Sequence, residues 1–200
     1  INYLVIQELT LNVDAYCKST YLHRQSGGQL IAGPLWDFDL ALGNYAWANQ
    51  PLKKEPNWWL FADESMEHCY MKMFYRHLLS AVDVPAFVAI RQRMAQRWKG
   101  LRTRELSDHA LFQRIANMTE LLVASGAVER NYALWPIDSD EHLGSPHFHS
   151  YFEAVDFLKT WLEKRVHFLD GKFSQLGSSP YPFDLHSDFP RCPLAPFPPP

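Results

Sequence analysis

Apolar positions recur at helical spacing along most of this chain, with one short stretch of strand-like residues near its start. Residues 1–11 carry Leu4, Val5, Ile6, Leu9 and Leu11, a pattern that predicts a mostly buried helix with Glu8 and Thr10 toward its exposed or loop end. Tyr21, Leu22, His23 and Arg24 then read as one strand and Gln29, Leu30, Ile31 and Ala32 as its partner, joined by Gln25-Ser26-Gly27-Gly28 as the turn of a β-hairpin. From 45 to 63 the pattern is irregular and aromatic, with Trp47, Trp58, Trp59 and Phe61 among Pro51, Pro56 and Lys53-Lys54-Glu55. That stretch predicts a long loop, either facing a substrate or closing over the core.

Helical spacing resumes over 64–81, where Met66, Tyr70, Met73, Phe74, Leu78 and Val82 share one face. Asp83 and Pro85 supply a cap and a first-turn proline to a second helix that runs to about Leu101, and Ser107 caps a third that carries Leu111, Ile115, Met118 and Leu122. Gly126 interrupts this pattern, 127–135 forms a short helix closed by Pro136, and 138–150 is a polar loop. A last helix over 151–173 packs Phe152, Val155, Leu158, Trp161, Leu162, Val166, Phe168 and Leu169, with Arg165 placed to anchor a carboxylate. The predicted fold class is therefore α+β and predominantly α-helical.

Composition adds a domain boundary. The 200 residues are 47% hydrophobic and 14% aromatic, enough for one sizeable core. Eight of the 14 prolines lie between Pro180 and Pro200, so 1–176 is predicted to be the folded domain and 177–200 an extended or disordered Pro-rich tail. A net charge of −3 gives no basic field for nucleic acid, and no run of about 18 apolar residues predicts a membrane span. Cys17, Cys69 and Cys192 show no zinc spacing, and their odd number is poor evidence for a disulfide framework, which leaves the redox compartment open. The basic series Arg91, Arg93, Arg97, Lys99, Arg102 and Arg104 is expected on a solvated face, and His142, His147 and His149 on the surface. Asn117-Met118-Thr119 matches the glycosylation pattern but falls inside a predicted helix.

Candidate chemistry centres on the string PLWDFDLALGN at 34–44, where Asp37 and Asp39 interrupt an apolar run closed by Gly43. A carboxylate in apolar surroundings is costly unless it is paired, hydrogen-bonded or bound to a cation. The hairpin, centred near Gly27 with Arg24 opposite Gln29, brings Asn12-Val13-Asp14 to face Trp36-Asp37-Phe38-Asp39 at one end. Two converging carboxylate loops suit metal-dependent phosphoryl transfer, in which one acid orients a hydroxyl and another holds Mg²⁺. From the spacing alone, turn capping is the commoner use of such acids, with Asp14 as a cap and Asp37 and Asp39 accepting from loop amides.

The strings QELTLNVDAYCKSTYL and GPLWDFDLALGN, followed by RQRMAQRWKGLR, ERNYALWP and VDFLKTWLEKRVHFLD, resemble the CotH kinase family, the spore-coat-protein-H-like atypical protein kinases, from about Ile1 to Phe173. That resemblance implies the C-lobe of an atypical protein-kinase-like fold, with a short β-hairpin carrying the active-site loops. It further implies transfer of a phosphoryl group from ATP to Ser or Thr of a protein, with Mg²⁺ or Mn²⁺ as cofactor. Asp14 would orient the acceptor hydroxyl as the catalytic residue. Asp37 would hold metal in the role of the Asp of a kinase DFG motif, with Ser19 and Asp39 as further metal ligands. Ser19 stands five residues after Asp14, where protein kinases place an Asn, and is a shorter, neutral ligand. The family implies a coat or surface protein as substrate and a spore-coat, cell-surface or secreted location. The chain begins within an apolar pattern, and no Gly-rich phosphate loop is present, so a nucleotide-gripping N-lobe with its Lys is expected upstream. The alternatives are a non-catalytic surface or coat binding module and a metal-dependent hydrolase.

Overall fold

The computed structural model describes residues 1–44, 55–62, 69–81, 83–137 and 146–178. Trp47, Met66, Val82, His142, Cys192 and the Pro-rich segment from 179 onward lie outside the described residues. The described part is mostly helical with one two-stranded antiparallel sheet, in keeping with an α+β class. No single helix among the described residues is long and apolar enough to cross a membrane.

Helix α1 (Asn2–Thr10) buries Tyr3, Leu4, Val5 and Leu9 as its spacing predicts, but it buries Gln7 and Glu8 as well. Glu8 is thus a core residue and not part of an exposed end. Its carboxylate meets a hydroxyl, two backbone amides and a guanidinium, which replace the water it has lost. The helix stops at Leu11, whose φ of 49° is left-handed. Leu11 therefore occupies the turn position, leaving the Asn12 side chain to reach the neighbouring loop.

Strands β1 (Leu22–Arg24) and β2 (Leu30–Ala32) pair as Leu22 with Ala32, His23 with Ile31 and Arg24 with Leu30, one residue away from the expected register. The turn explains the shift. It closes through Gly28 N–H to Gln25 O at 2.9 Å and Arg24 Nε to Gly28 O at 2.7 Å, with Gly27 at a φ of 69°, so Gln29 belongs to the connection.

Helix α2 (Tyr70–Ser80) buries Lys72, Tyr75 and Leu79, whereas Tyr70, Met73 and Phe74 are exposed, so its buried face is rotated from the expected one. Tyr75 decides this, because its ring packs 4.6 Å from that of Tyr16 in the core. Helix α3 (Pro85–Arg102) has Pro85 in its first turn as expected, but Val84 rather than Asp83 is its N-cap. In α4 (Asp108–Ala124) the Ser107 hydroxyl accepts from Ala110 N–H, the capping bond that the sequence predicts. Leu111 and Ile115 of α4 pack against the core while Met118 and Leu122 are exposed. Helix α5 (Ala127–Leu134) begins after Gly126 at φ 67°.

Helix α6 (Tyr151–Ser178) runs past the predicted end at Phe173 and into the first residues of the predicted tail. It buries Val155, Trp161, Leu162, Val166, Leu169 and Phe173 but leaves Phe152 exposed. Trp98 of α3 stacks on Phe173 at 4.9 Å, and Trp59 meets the same ring edge-on at 5.4 Å. Trp59 and Phe61, next to the 3₁₀ turn Leu60–Ala62 or within it, are core residues and do not face a substrate.

The basic series is not a solvated face throughout. Arg91 is buried and donates to the Leu79 and Ala81 carbonyls at the C-terminus of α2, where cation and helix dipole attract. Arg102 pairs with Asp108 at 2.8 Å and Asp170 at 3.0 Å, tying α3 to α4 and α6.

Candidate active site

Two loops meet where the sequence places its candidate chemistry. The first, residues 12–20, leaves α1 and folds back on itself, so that the amides of Cys17, Lys18 and Ser19 converge on the Asp14 carbonyl at 3.3, 3.0 and 3.3 Å. Its middle is fastened to the core by Ala15 and Tyr16, both fully buried. The second, residues 33–44, leaves β2 and carries Asp37 at a φ of 62°, a left-handed conformation uncommon outside glycine that Asp tolerates better than most residues.

Direct contacts join the loops at Asp37. Ser19 Oγ donates to Asp37 Oδ2 at 3.1 Å, and Asn12 Nδ2 donates to the Asp37 carbonyl at 2.9 Å. Asn12 also accepts from Asp14 N–H through Oδ1 at 3.4 Å, so one buried amide spans both acids' backbones. The Asp14 carboxylate faces Lys18 Nζ at 3.4 Å. Asp39 is exposed, its carbonyl accepts from Asn44 Nδ2 at 2.8 Å, and its carboxylate has no hydrogen-bond partner among the described residues. The hydrogen bonds therefore bring together Asn12, Asp14, Ser19 and Asp37, and none of these bonds joins Asp39 to them.

The loop ends are held by close packing. A Cβ on Gly43, at φ 82°, would lie 2.6 Å from the Trp161 ring, so only glycine lets α6 press against this loop. Leu42 N–H bonds the Thr10 carbonyl at 2.7 Å, which fixes the second loop to the end of α1.

Beneath the loops lies a buried polar hub. Glu8 accepts from Tyr16 OH at 3.1 Å, Leu60 N–H at 2.8 Å and Phe61 N–H at 3.1 Å, and its carboxylate lies 3.5 Å from Arg165 Nη2. Arg165 also donates to the Glu8, Pro56 and Trp58 carbonyls. The carboxylate anchoring expected of Arg165 is thus present, with Glu8 as its partner. Burial pushes the Glu8 carboxyl up against the opposing pull of Arg165 and its hydrogen bonds, and burial lowers Arg165 to about 10. Burial, then the Glu8 charge, raises the Tyr16 phenol well above its ordinary range.

Two features were not read from the sequence. Lys18 lies four residues beyond Asp14, an ion-pair spacing that could have drawn attention to it. Cys17 and Cys69 form a disulfide, a pairing that the odd cysteine count left open; their separation of 52 residues carries no local pattern.

The site's donors are a carboxylate, a hydroxyl and amide oxygens. Such donors suit a hard cation, and one Asp37 oxygen remains outside the Ser19 bond. No group of three or more His, Cys, Asp or Glu that could hold a metal occurs among the described residues. Mg²⁺ bound together with phosphates does not need such a cage, since one or two carboxylates suffice.

No curated protein and no solved structure matches this chain. A family model described as CotH kinase protein matches residues 1–169, which include both loops, the hub and most of α6. The chain belongs to the CotH kinase family.

Proposed function

We propose that this chain is the C-terminal catalytic lobe of a metal-dependent protein kinase that passes the γ-phosphoryl of ATP to Ser or Thr hydroxyls of a coat or surface protein. Membership of the family supports a kinase-like protein. The observation that carries the finer reading is the Ser19 to Asp37 hydrogen bond, backed by Asn12, which sets a hydroxyl and a carboxylate side by side next to the Asp14 loop.

In this reading Asp14 accepts the hydrogen bond of the incoming hydroxyl and aims its oxygen at the phosphorus. Lys18 occupies one Asp14 oxygen, leaving the other for substrate. Asn12 keeps the two acids in register by bonding the backbone of each. Asp37 and Ser19 would hold Mg²⁺ or Mn²⁺, with Asp39 as a further oxygen donor. When bound, the cation would neutralise charge on the phosphoryl oxygens.

The test is transfer of radiolabelled phosphate from ATP to a protein acceptor by the full-length protein with Mg²⁺ or Mn²⁺. Label on Ser or Thr that requires Asp14 supports the reading. Cation binding without any transfer favours a non-catalytic binding module, and release of inorganic phosphate from phosphopeptides without transfer favours a hydrolase.

A further inference from the structure

The Cys17–Cys69 disulfide, with Cα atoms 5.6 Å apart, is attached to the candidate site within the turn that joins Asp14 to Ser19. Cys17 lies in the turn between Asp14 and Ser19, and Cys69 is the N-cap residue of α2. The front half of the loop is held by the core through Ala15 and Tyr16. The back half is held differently. Cys17 is half-buried and Lys18 exposed, and the side-chain hydrogen bonds that follow are Ser19 to Asp37 and Tyr3 to Thr20 at 3.1 Å. Helix α2 is itself set in the core by Tyr75 and Leu79, so a bond from Cys69 transmits a fixed position to Cys17.

We propose that the Cys17–Cys69 disulfide is a positioning clamp that holds Ser19 against Asp37, and that its reduction by a dithiol loosens the back half of the loop and switches the site off. Both sulfurs belong to half-buried residues, neither of them sealed in the core. A reductant thiolate attacks one sulfur and forms a mixed disulfide, while the other protein sulfur leaves as a thiolate and takes up a proton. The second thiol of the reductant then displaces the first protein sulfur. The protein gains two thiols and the dithiol becomes a disulfide, so two electrons and two protons balance. Cys69 Sγ lies 3.5 Å from the Tyr16 carbonyl, which is placed to accept the proton of the reduced thiol. The effect on activity rests on the phosphoryl-transfer reading, whereas the effect on the loop does not.

The experiment compares oxidised and dithiothreitol-reduced full-length protein in a Cys192→Ser background, by non-reducing peptide mapping, hydrogen exchange and phosphoryl transfer. A peptide joining Cys17 to Cys69 is expected in the oxidised sample. Reduction should speed exchange of amides 17–20 by about tenfold while those of α6 hold. It should also lower kcat, reversibly on reoxidation, with little change in KM for the acceptor protein. Cys69→Ser should reproduce the reduced state without reductant. Absence of the linked peptide overturns the proposal, as does exchange that is unchanged or that rises equally in α6, since the latter marks a general staple. Local loosening with no transfer in either state supports the clamp and overturns the kinase reading.

Discussion

Ser19 is 4% exposed, yet its hydroxyl donates to Asp37 Oδ2, a carboxylate on the surface, at 3.1 Å. A buried donor thereby fixes one oxygen of an exposed acid and leaves the other without a hydrogen bond among the described residues.

That arrangement predicts cation-dependent stability. Mg²⁺ or Mn²⁺ at about 100 times its dissociation constant should add roughly 2.7 kcal/mol. The gain is read as a rise in melting temperature during titration. Asp37→Ala should abolish it and Ser19→Ala weaken it, and an equal rise in the Asp37 variant would remove the metal role.

Asp14→Asn should fold like the parent but lose roughly 10² to 10⁴ in transfer rate, the range for losing a general acid or base. The Asp14 side chain is 18% exposed and its ion-pair partner Lys18 59% exposed, and such pairs contribute about 0–1 kcal/mol. Steady-state kinetics beside urea denaturation separates the two effects. Transfer at the parental rate would dismiss the assignment.

Arg165→Met should cost about 3–5 kcal/mol, because it strands the Glu8 carboxylate in the core. The double variant with Glu8→Leu should recover part of that loss, since no charge remains to bury. Urea midpoints for the four proteins of the cycle test this, and strictly additive losses would mean that the two side chains do not interact.

Glu8 also sets a pH dependence. Its folded carboxyl titrates above the ordinary 4.5 because burial disfavours the anion, so just above that pH the folded state holds a proton that the unfolded chain has released. Stability from this group is greatest in acid and falls as pH rises through the folded value. Arg165, lowered to about 10, acts at the other end, where stability rises as pH climbs from about 10 toward 12.5. Denaturation midpoints across pH should lose the acidic slope in the Glu8→Leu/Arg165→Met protein; an unchanged slope would assign it to other groups.

Periodicity and caps made the helices legible, because those signals are local: Ser107, Pro85 and Gly126 stand where the structure uses them. Side-chain burial was less legible. Glu8 reads as exposed until α6 arrives 157 residues later with Arg165, and α2 turns its Tyr75 face inward only because Tyr16 waits there. The meeting of the Asp14 and Asp37 loops could be anticipated from the hairpin even with its register one residue off. The contacts that carry it, Asn12 and Ser19, depend on backbone reversals at Leu11 and Asp37 that the sequence does not announce.

Tyr16 belongs to both the core and the loop: its ring clusters with those of Tyr3 and Tyr75, its hydroxyl is on Glu8, and its backbone is in the turn that carries Asp14. Loop geometry and global stability are therefore not separable traits here. A mutational screen scored on activity alone will flag Arg165, Glu8 and Tyr75 as strongly as Asp14, and an abundance screen run beside it will tell them apart. For the same reason, selection for a more stable variant should recover substitutions that sharpen the site without touching it.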